Sequence, residues 1–137
     1  MKEAEARLRF GAARVARLAT VSAADELHLV PIVFALEGDL IYSLVDAKPK
    51  RPGVLRRLAN IAVNPRVTVL VDEYDDEWER LWWVRVDGTA RVEVEGSDRE
   101  RAIELLRAKY PQYQSLPGPF GPAIVVRVDR WSSWSFS

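Results

Sequence analysis

The stretch RVARLATVSAADELHLVPIVFALEGDLIYSLV, residues 14–45, reads as three consecutive strands. Over 14–22 the side chains alternate, with Val15, Arg17 and Ala19 on one face and Ala16, Leu18 and Thr20 on the other, the period of an extended chain. Ala23–Glu26 is a short polar turn. Residues 27–36 are rich in Leu, Val, Ile and Phe and predict a second strand. Pro31 within it cannot donate to a ladder, so this strand belongs at a sheet edge or carries a bulge. Gly38-Asp39 is a tight turn, and Leu40–Val45 is a third strand. Both connections are too short for a helical crossover, so an antiparallel meander is expected.

Working outward, residues 3–13 predict a helix with Ala4, Leu8 and Ala12 as its apolar stripe. After the strands comes the basic, proline-rich segment Lys48-Pro49-Lys50-Arg51-Pro52-Gly53. Pro52 suits the first position of a helix, where its missing N–H costs nothing. Val54, Leu55, Leu58, Ile61 and Ala62 continue at helical spacing until Asn64-Pro65. Residues 66–71 form a fourth strand and 81–95 a fifth, with Gly88 marking a bulge or bend. Ser97 and Glu100 have capping-box spacing and open a helix to about Lys109, striped by Ala102, Ile103, Leu105, Leu106 and Tyr110. Residues 111–122 are a Pro/Gly loop, 123–129 a sixth strand, and 130–136 a candidate short final one. Six antiparallel strands with flanking helices indicate an α+β barrel, and 137 residues indicate one domain spanning 1–137.

Composition narrows the chemistry. Twenty basic and twenty acidic residues cancel, which removes the electrostatic footprint of a general nucleic-acid binder. The absence of Cys excludes disulfides, thiolate metal sites and cysteine nucleophiles. With one histidine, His28, a zinc centre or a histidine-based triad has too few ligands. No apolar run approaches the roughly 18 residues of a membrane helix, and residues 1–10 carry no leader-like apolar core, so a cytoplasmic protein without a membrane partner is expected. The patterns G-x-S-x-G, G-x-G-x-x-G and the P-loop are missing. Redox chemistry carried by a bound cofactor is then the economical enzymatic reading.

Three clusters hold the candidate chemistry. Lys48, Lys50 and Arg51 sit between a strand and a helix start, either as a phosphate site or as a solvated loop. Trp82 and Trp83 are adjacent on a strand and face opposite sides, one toward the barrel and one outward. The outward one is either ordinary packing or an interface or ligand wall. Asp72 to Glu79 is an acidic run that lacks calcium-loop spacing and reads as a solvated face.

The order of these segments resembles a known family. Ala16-Arg17-Leu18-Ala19-Thr20-Val21, His28-Leu29-Val30-Pro31-Ile32, Asp46-Ala47-Lys48-Pro49-Lys50-Arg51, Leu55–Ile61, Asn64-Pro65-Arg66-Val67 and Leu81–Gly88 together resemble split-barrel flavin-binding proteins of the pyridoxamine 5′-phosphate oxidase type. They look most similar to the actinobacterial branch of probable coenzyme F-420-dependent enzymes. The resemblance covers roughly residues 8–136. It implies a six-stranded antiparallel split β-barrel, a homodimer with cofactor sites between subunits, and hydride transfer between a reduced deazaflavin and a small-molecule substrate. It assigns the cofactor phosphate to Lys48, Lys50 and Arg51, and the ring to Val30, Pro31, Ile32 and Val33 with Ser43 and Leu44 opposite. Trp82 and Trp83 are implied to approach the site, and no side chain is implied as a catalytic nucleophile or metal ligand. Two alternatives on the same fold are an FMN-dependent oxidoreductase and a non-enzymatic cofactor- or haem-binding protein, the latter with His28 as axial ligand. The oxidase branch places a further basic residue on the second strand, and the nearest match here is His28.

Overall fold

The computed structural model describes residues 1–45, 52–116, 118 and 120–137, with side chains for all of these except 52–55. Helix α1 (Glu3–Ala12) precedes strands β1 (Ala16–Val21), β2 (Leu27–Ile32), β3 (Ala35–Glu37) and β4 (Leu40–Leu44). Helix α2 (Pro52–Val63) leads to β5 (Arg66–Glu73), a 3-10 turn (Trp78–Arg80) and β6 (Trp82–Glu93). Helices α3 (Ser97–Lys109) and α4 (Pro111–Ser115) and strand β7 (Ala123–Ser135) complete the chain. The strands form one antiparallel sheet in the order β2-β1-β5-β6-β7-β4-β3. No described helix is long and apolar enough to cross a membrane.

The sheet has seven strands rather than the expected six, because the apolar run 27–36 is cut in two. Residues 33 and 34 leave the ladder. The Phe34 N–H donates to the Tyr110 hydroxyl at 3.2 Å, and the Val33 carbonyl accepts from Ser43 Oγ at 2.9 Å. Tyr110 in turn has the carbonyls of Arg14 and Phe34 at 3.0 Å as acceptors for its one proton. The expected three-strand meander is broken at the same point. Leu40–Leu44 pairs with β3 and β7, while Leu27–Ile32 pairs with β1.

This cut curls the sheet. β2 and β3 are the two edges, yet three Cα steps join Ile32 to Ala35, about 11 Å at full stretch. Seven flat strands would hold those edges about 29 Å apart. The sheet therefore curls until the end of β2 and the start of β3 come together, giving a half-barrel. Pro31 lies on an edge, as its chemistry requires. The ladder bond from Ser22 N–H to Glu26 carbonyl sets the alternation, which places Pro31 opposite Arg17 in a pair that exchanges no hydrogen bonds.

The concave face encloses the main core of Leu18, Phe34, Ile41, Val69, Val84, Val86, Ile124 and Val126. α1 plugs it with Ala6 and Phe10, not with the expected stripe of Ala4, Leu8 and Ala12, all of which are exposed. Small apolar residues recur at both spacings, and only the barrel mouth selects between them. The other face of β4 and the start of β7 is covered by α3, where Tyr42, Leu44, Ala123 and Val125 meet Ala102, Leu106 and Tyr110. These strand segments are buried on both faces, so their sequences run apolar without alternation.

Three local expectations change. Ser97 does not cap α3; the cap is Gly96 at φ 100°, whose carbonyl accepts the Glu100 N–H. Residues 123–135 form one long strand, and part of the expected 111–122 loop is the short helix α4. Gly88 does sit at a bulge, where the β6–β7 register shifts between Asp87 and Gly88.

Lys109 closes the joint between the edges from below. Its Nζ donates to the Phe34 carbonyl at 3.0 Å and lies 3.9 Å from the Phe34 ring centre. Burial, aided by the Arg14 charge, outweighs these contacts and lowers its pKa to about 8. The unfolded chain holds this proton up to about 10.4. Unfolding therefore takes up a proton between pH 8 and 10, and this group makes the fold more stable as pH rises through that window. Thermal unfolding at pH 8 and pH 10 is expected to show that gain in the native protein and not in Lys109→Met.

Candidate functional site

Where the edges of the sheet meet, a cleft of about 370 Å³ opens, within the usual range for small-molecule sites. Its walls are Pro31, Ile32 and Val33 from the end of β2, Ser43, Leu44 and Val45 from the end of β4, Arg57 from α2, and Tyr113, Leu116 and Phe120. β2 and β4 do not pair; the roll of the sheet brings them together. Five residues singled out from sequence thus line one cleft: Pro31, Ile32, Val33, Ser43 and Leu44.

The other expected residues lie elsewhere. Val30 packs against the main core. Trp82 lies under α1, with its indole N–H donating to Glu73 at 2.9 Å and the Arg9 guanidinium over its ring. Trp83 faces outward, lining a depression with Arg17, Ala19, Leu29, Leu70 and Arg85. The two tryptophans do point to opposite faces. Lys48, Lys50 and Arg51, with Asp46, lie outside the described residues; their segment connects Val45 of the cleft to the helix that carries Arg57.

The cleft walls are braced. Ser43 and Tyr110 hold Val33 and Phe34 from two sides. Arg99 of α3 donates to the carbonyls of Phe120 and Gly121 at 2.6 and 3.1 Å. Val45 exchanges backbone bonds with Gly121 and Pro122, extending the β4–β7 ladder into the cleft wall. Tyr110, Tyr113 and Phe120 follow one another at ring separations of 6.2 and 5.8 Å.

Arg57 was not foreseen. Its Nε is buried without a hydrogen-bond partner, and burial alone pulls its pKa below the ordinary arginine value. A shielded guanidinium with unused donors fits an anionic group such as a phosphate. The available signal is its spacing: Arg57 stands four residues before Ile61, which is 3% exposed, and so shares the inward side of α2. Tyr113, Leu116 and Phe120 were hidden within a segment read as loop. Among the described residues the cleft therefore offers one half-buried cation, an apolar lining, and the free backbone edge of β2 around Pro31. That set fits a flat, largely apolar group bearing an anionic arm. Among the described residues no cluster of His, Asp or Glu could hold a metal ion.

His28 lies apart, in a neighbouring cavity with Ser22, Glu26, Arg56 and Asn60.

Comparison with known proteins gives a consistent picture. The sequence profile described as pyridoxamine 5′-phosphate oxidase matches residues 2–135. No curated protein matches the sequence. Among solved structures, a conserved hypothetical protein of Mycobacterium tuberculosis superposes with a TM-score of 0.79 at 22% identity, covering 98% of this chain and 85% of that one. A protein of Mesorhizobium loti described as FAD-binding gives 0.71 at 22% identity, covering 97% and 92%. The FAD-binding protein of Mycobacterium smegmatis gives 0.64 at 18% identity, covering 99% and 97%. At these identities the likeness establishes the fold.

Proposed function

The chain belongs to the pyridoxamine 5′-phosphate oxidase family, and from that premise we propose that its cleft binds a flavin-type cofactor and that the protein is an oxidoreductase. The cofactor we assign is coenzyme F-420, a deazaflavin, with hydride passing between its reduced form and an organic small molecule. One observation carries this reading. Residues from two strands that do not pair with each other, assigned to a cofactor ring by resemblance, converge on one cleft that also contains a half-buried arginine whose Nε has no partner.

When bound, a cofactor of this kind supplies the hydride chemistry. The protein's own residues bind and orient. Arg57 holds an anionic group of the cofactor, together with Lys48, Lys50 and Arg51, which the family resemblance assigns to the phosphate. Ile32, Leu44 and Phe120 supply apolar walls that exclude water. The Pro31 carbonyl, turned from β1 toward the free edge, would be open to a donor on a bound cofactor. Ser43 already donates its proton to Val33, so it serves the cleft as an acceptor.

Equilibrium binding of coenzyme F-420 and FMN, followed by tryptophan fluorescence, tests the assignment. Tighter F-420 binding is expected. A preference for FMN moves the assignment to an ordinary flavin, a second reading favoured by the two FAD-binding structural relatives. Binding of neither removes the cofactor reading. Arg57→Gln is expected to weaken the bound cofactor by about 1.5–3 kcal/mol, roughly 10- to 150-fold. An unchanged dissociation constant would take Arg57 out of the site.

We assign the homodimer interface to the convex face around Trp83. Leu29 there is 67% exposed, and Trp83 stands directly across from Trp134 of β7. Pro31 joins this face to the cleft, so a second copy seated on it would border the cofactor site. Sedimentation of Trp83→Glu should show monomers where the native chain sediments as a dimer.

A further inference from the structure

Arg99 stands in the first turn of α3, where the helix dipole disfavours a cation, and its side chain is only 16% exposed. Both circumstances cost free energy. Glu100, its carboxylate partner, is 3.6 Å away on an exposed side chain. The guanidinium directs its short contacts to two neutral acceptors instead, the carbonyls of Phe120 at 2.6 Å and Gly121 at 3.1 Å. Successive carbonyls of an extended strand point to opposite sides. One guanidinium reaches both only where the backbone turns, and its rigid fork of N–H groups then holds that turn in one orientation.

The turn carries one wall of the cleft. The Gly121 N–H donates to the Val45 carbonyl at 3.1 Å, and the Val45 N–H donates to the Pro122 carbonyl at 2.9 Å. Phe120 and Val45 both line the cleft, and Arg99 is not among its lining residues. The Phe120 ring has the Tyr113 ring beside it at 5.8 Å and the Arg107 guanidinium 5.2 Å from its centre. Arg107 is exposed, and an exposed cation holds a ring only weakly. Two aromatic side chains in one wall favour a flat conjugated ligand, provided that the wall keeps its place.

We infer that Arg99 is a positioning residue. Through the Phe120 and Gly121 carbonyls it fixes the aromatic wall against which a bound ring stacks. This role rests on the cleft being a cofactor site, and it divides the work there: Arg57 acts on the anionic arm of the ligand and Arg99 on its ring.

Two measurements test the role. In the free protein, amide hydrogen exchange at Val45 and Gly121 should quicken several-fold in Arg99→Gln, with the β5–β6 ladder unchanged. Arg99→Lys should move both rates back toward native, because an ammonium can still reach one of the two carbonyls. Unchanged rates at Val45 and Gly121, or a rise spread evenly over the β5–β6 ladder, overturn the role. The binding probes are FMN and lumiflavin, a flavin ring without the phosphate-bearing arm. Arg99→Gln should weaken both alike, by about 2- to 12-fold, the worth of one ring contact, whereas Arg57→Gln should weaken FMN alone. Phe120→Leu should also weaken both, and adding Arg99→Gln to it should cost nothing more, since the two residues act as a unit. Additive losses, or a loss confined to FMN, overturn the role. If the native protein binds neither flavin, the cofactor reading falls, and the exchange rates alone decide whether Arg99 fixes the wall.

Discussion

Replacing Phe10 with alanine is expected to lower the unfolding free energy by about 3–5 kcal/mol, and the melting temperature by about 10 °C or more. Phe10 has no exposed surface, and its ring meets Phe34 edge-on at 5.1 Å and Trp131 at 5.4 Å. These partners belong to different parts of the barrel. Phe34 lies in the two-residue joint between the sheet edges, and Trp131 lies on β7. The substitution therefore opens a cavity where α1, the joint and the sheet converge. Denaturant unfolding measures the loss. Leu8→Ala on the same helix is the control: Leu8 is 76% exposed, and its removal should change stability by no more than about 0.5 kcal/mol. A larger loss at Leu8 than at Phe10 would mean that the apolar stripe read from sequence is the buried one after all.

Gly88→Ala is expected to cost about 1–3 kcal/mol, the usual range for overpacking. A Cβ at this position would lie 2.6 Å from the Arg127 carbonyl oxygen and 2.6 Å from Val126 Cγ1. The first of these is backbone inside a two-sided ladder, so relief requires β6 and β7 to move apart at the bulge. Gly11→Ala provides the opposite sign. Its Cβ would meet Leu36 at an ordinary 3.6 Å, and within α1 alanine is favoured over glycine by about 0.8–1.0 kcal/mol. Thermal melts of both variants check the pair. Equal effects would show that close approach at Gly88 is not what requires glycine there.

Much of the fold was legible along the chain because its causes are local. Alternation over 14–22 marks β1 and groups Ala16, Leu18 and Thr20 on one face, which is the face the structure buries. Pro52 and Asn64-Pro65 delimit α2, and Gly88 announces its bulge. The errors arose where a distant group decides. Nothing near Val33-Phe34 signals a strand break, because the break is made by Ser43 and by Tyr110, 76 positions beyond Phe34. The stripe of α1 was misread because alanines occur on several sides of the helix, and only the barrel mouth chooses Ala6 and Phe10.

The candidate site divides in the same way. Pro31, Ile32, Val33, Ser43 and Leu44 were named through family resemblance, since apolar strand residues carry no chemical mark of their own. Arg57 was passed over because a basic residue on a helix is ordinarily solvated; its burial depends on how α2 seats against the sheet.

The sequence by itself determined most of the elements and the exclusion of thiol and histidine-cluster chemistry. These follow from periodicity, turn chemistry and composition, all of which act over a few residues. Only the tertiary structure decided that the edges of the sheet meet, that β2 and β4 thereby share a cleft, and that Arg57 is left in it without a partner. Each of these depends on closure of a seven-stranded sheet, a contact between segments far apart in the chain.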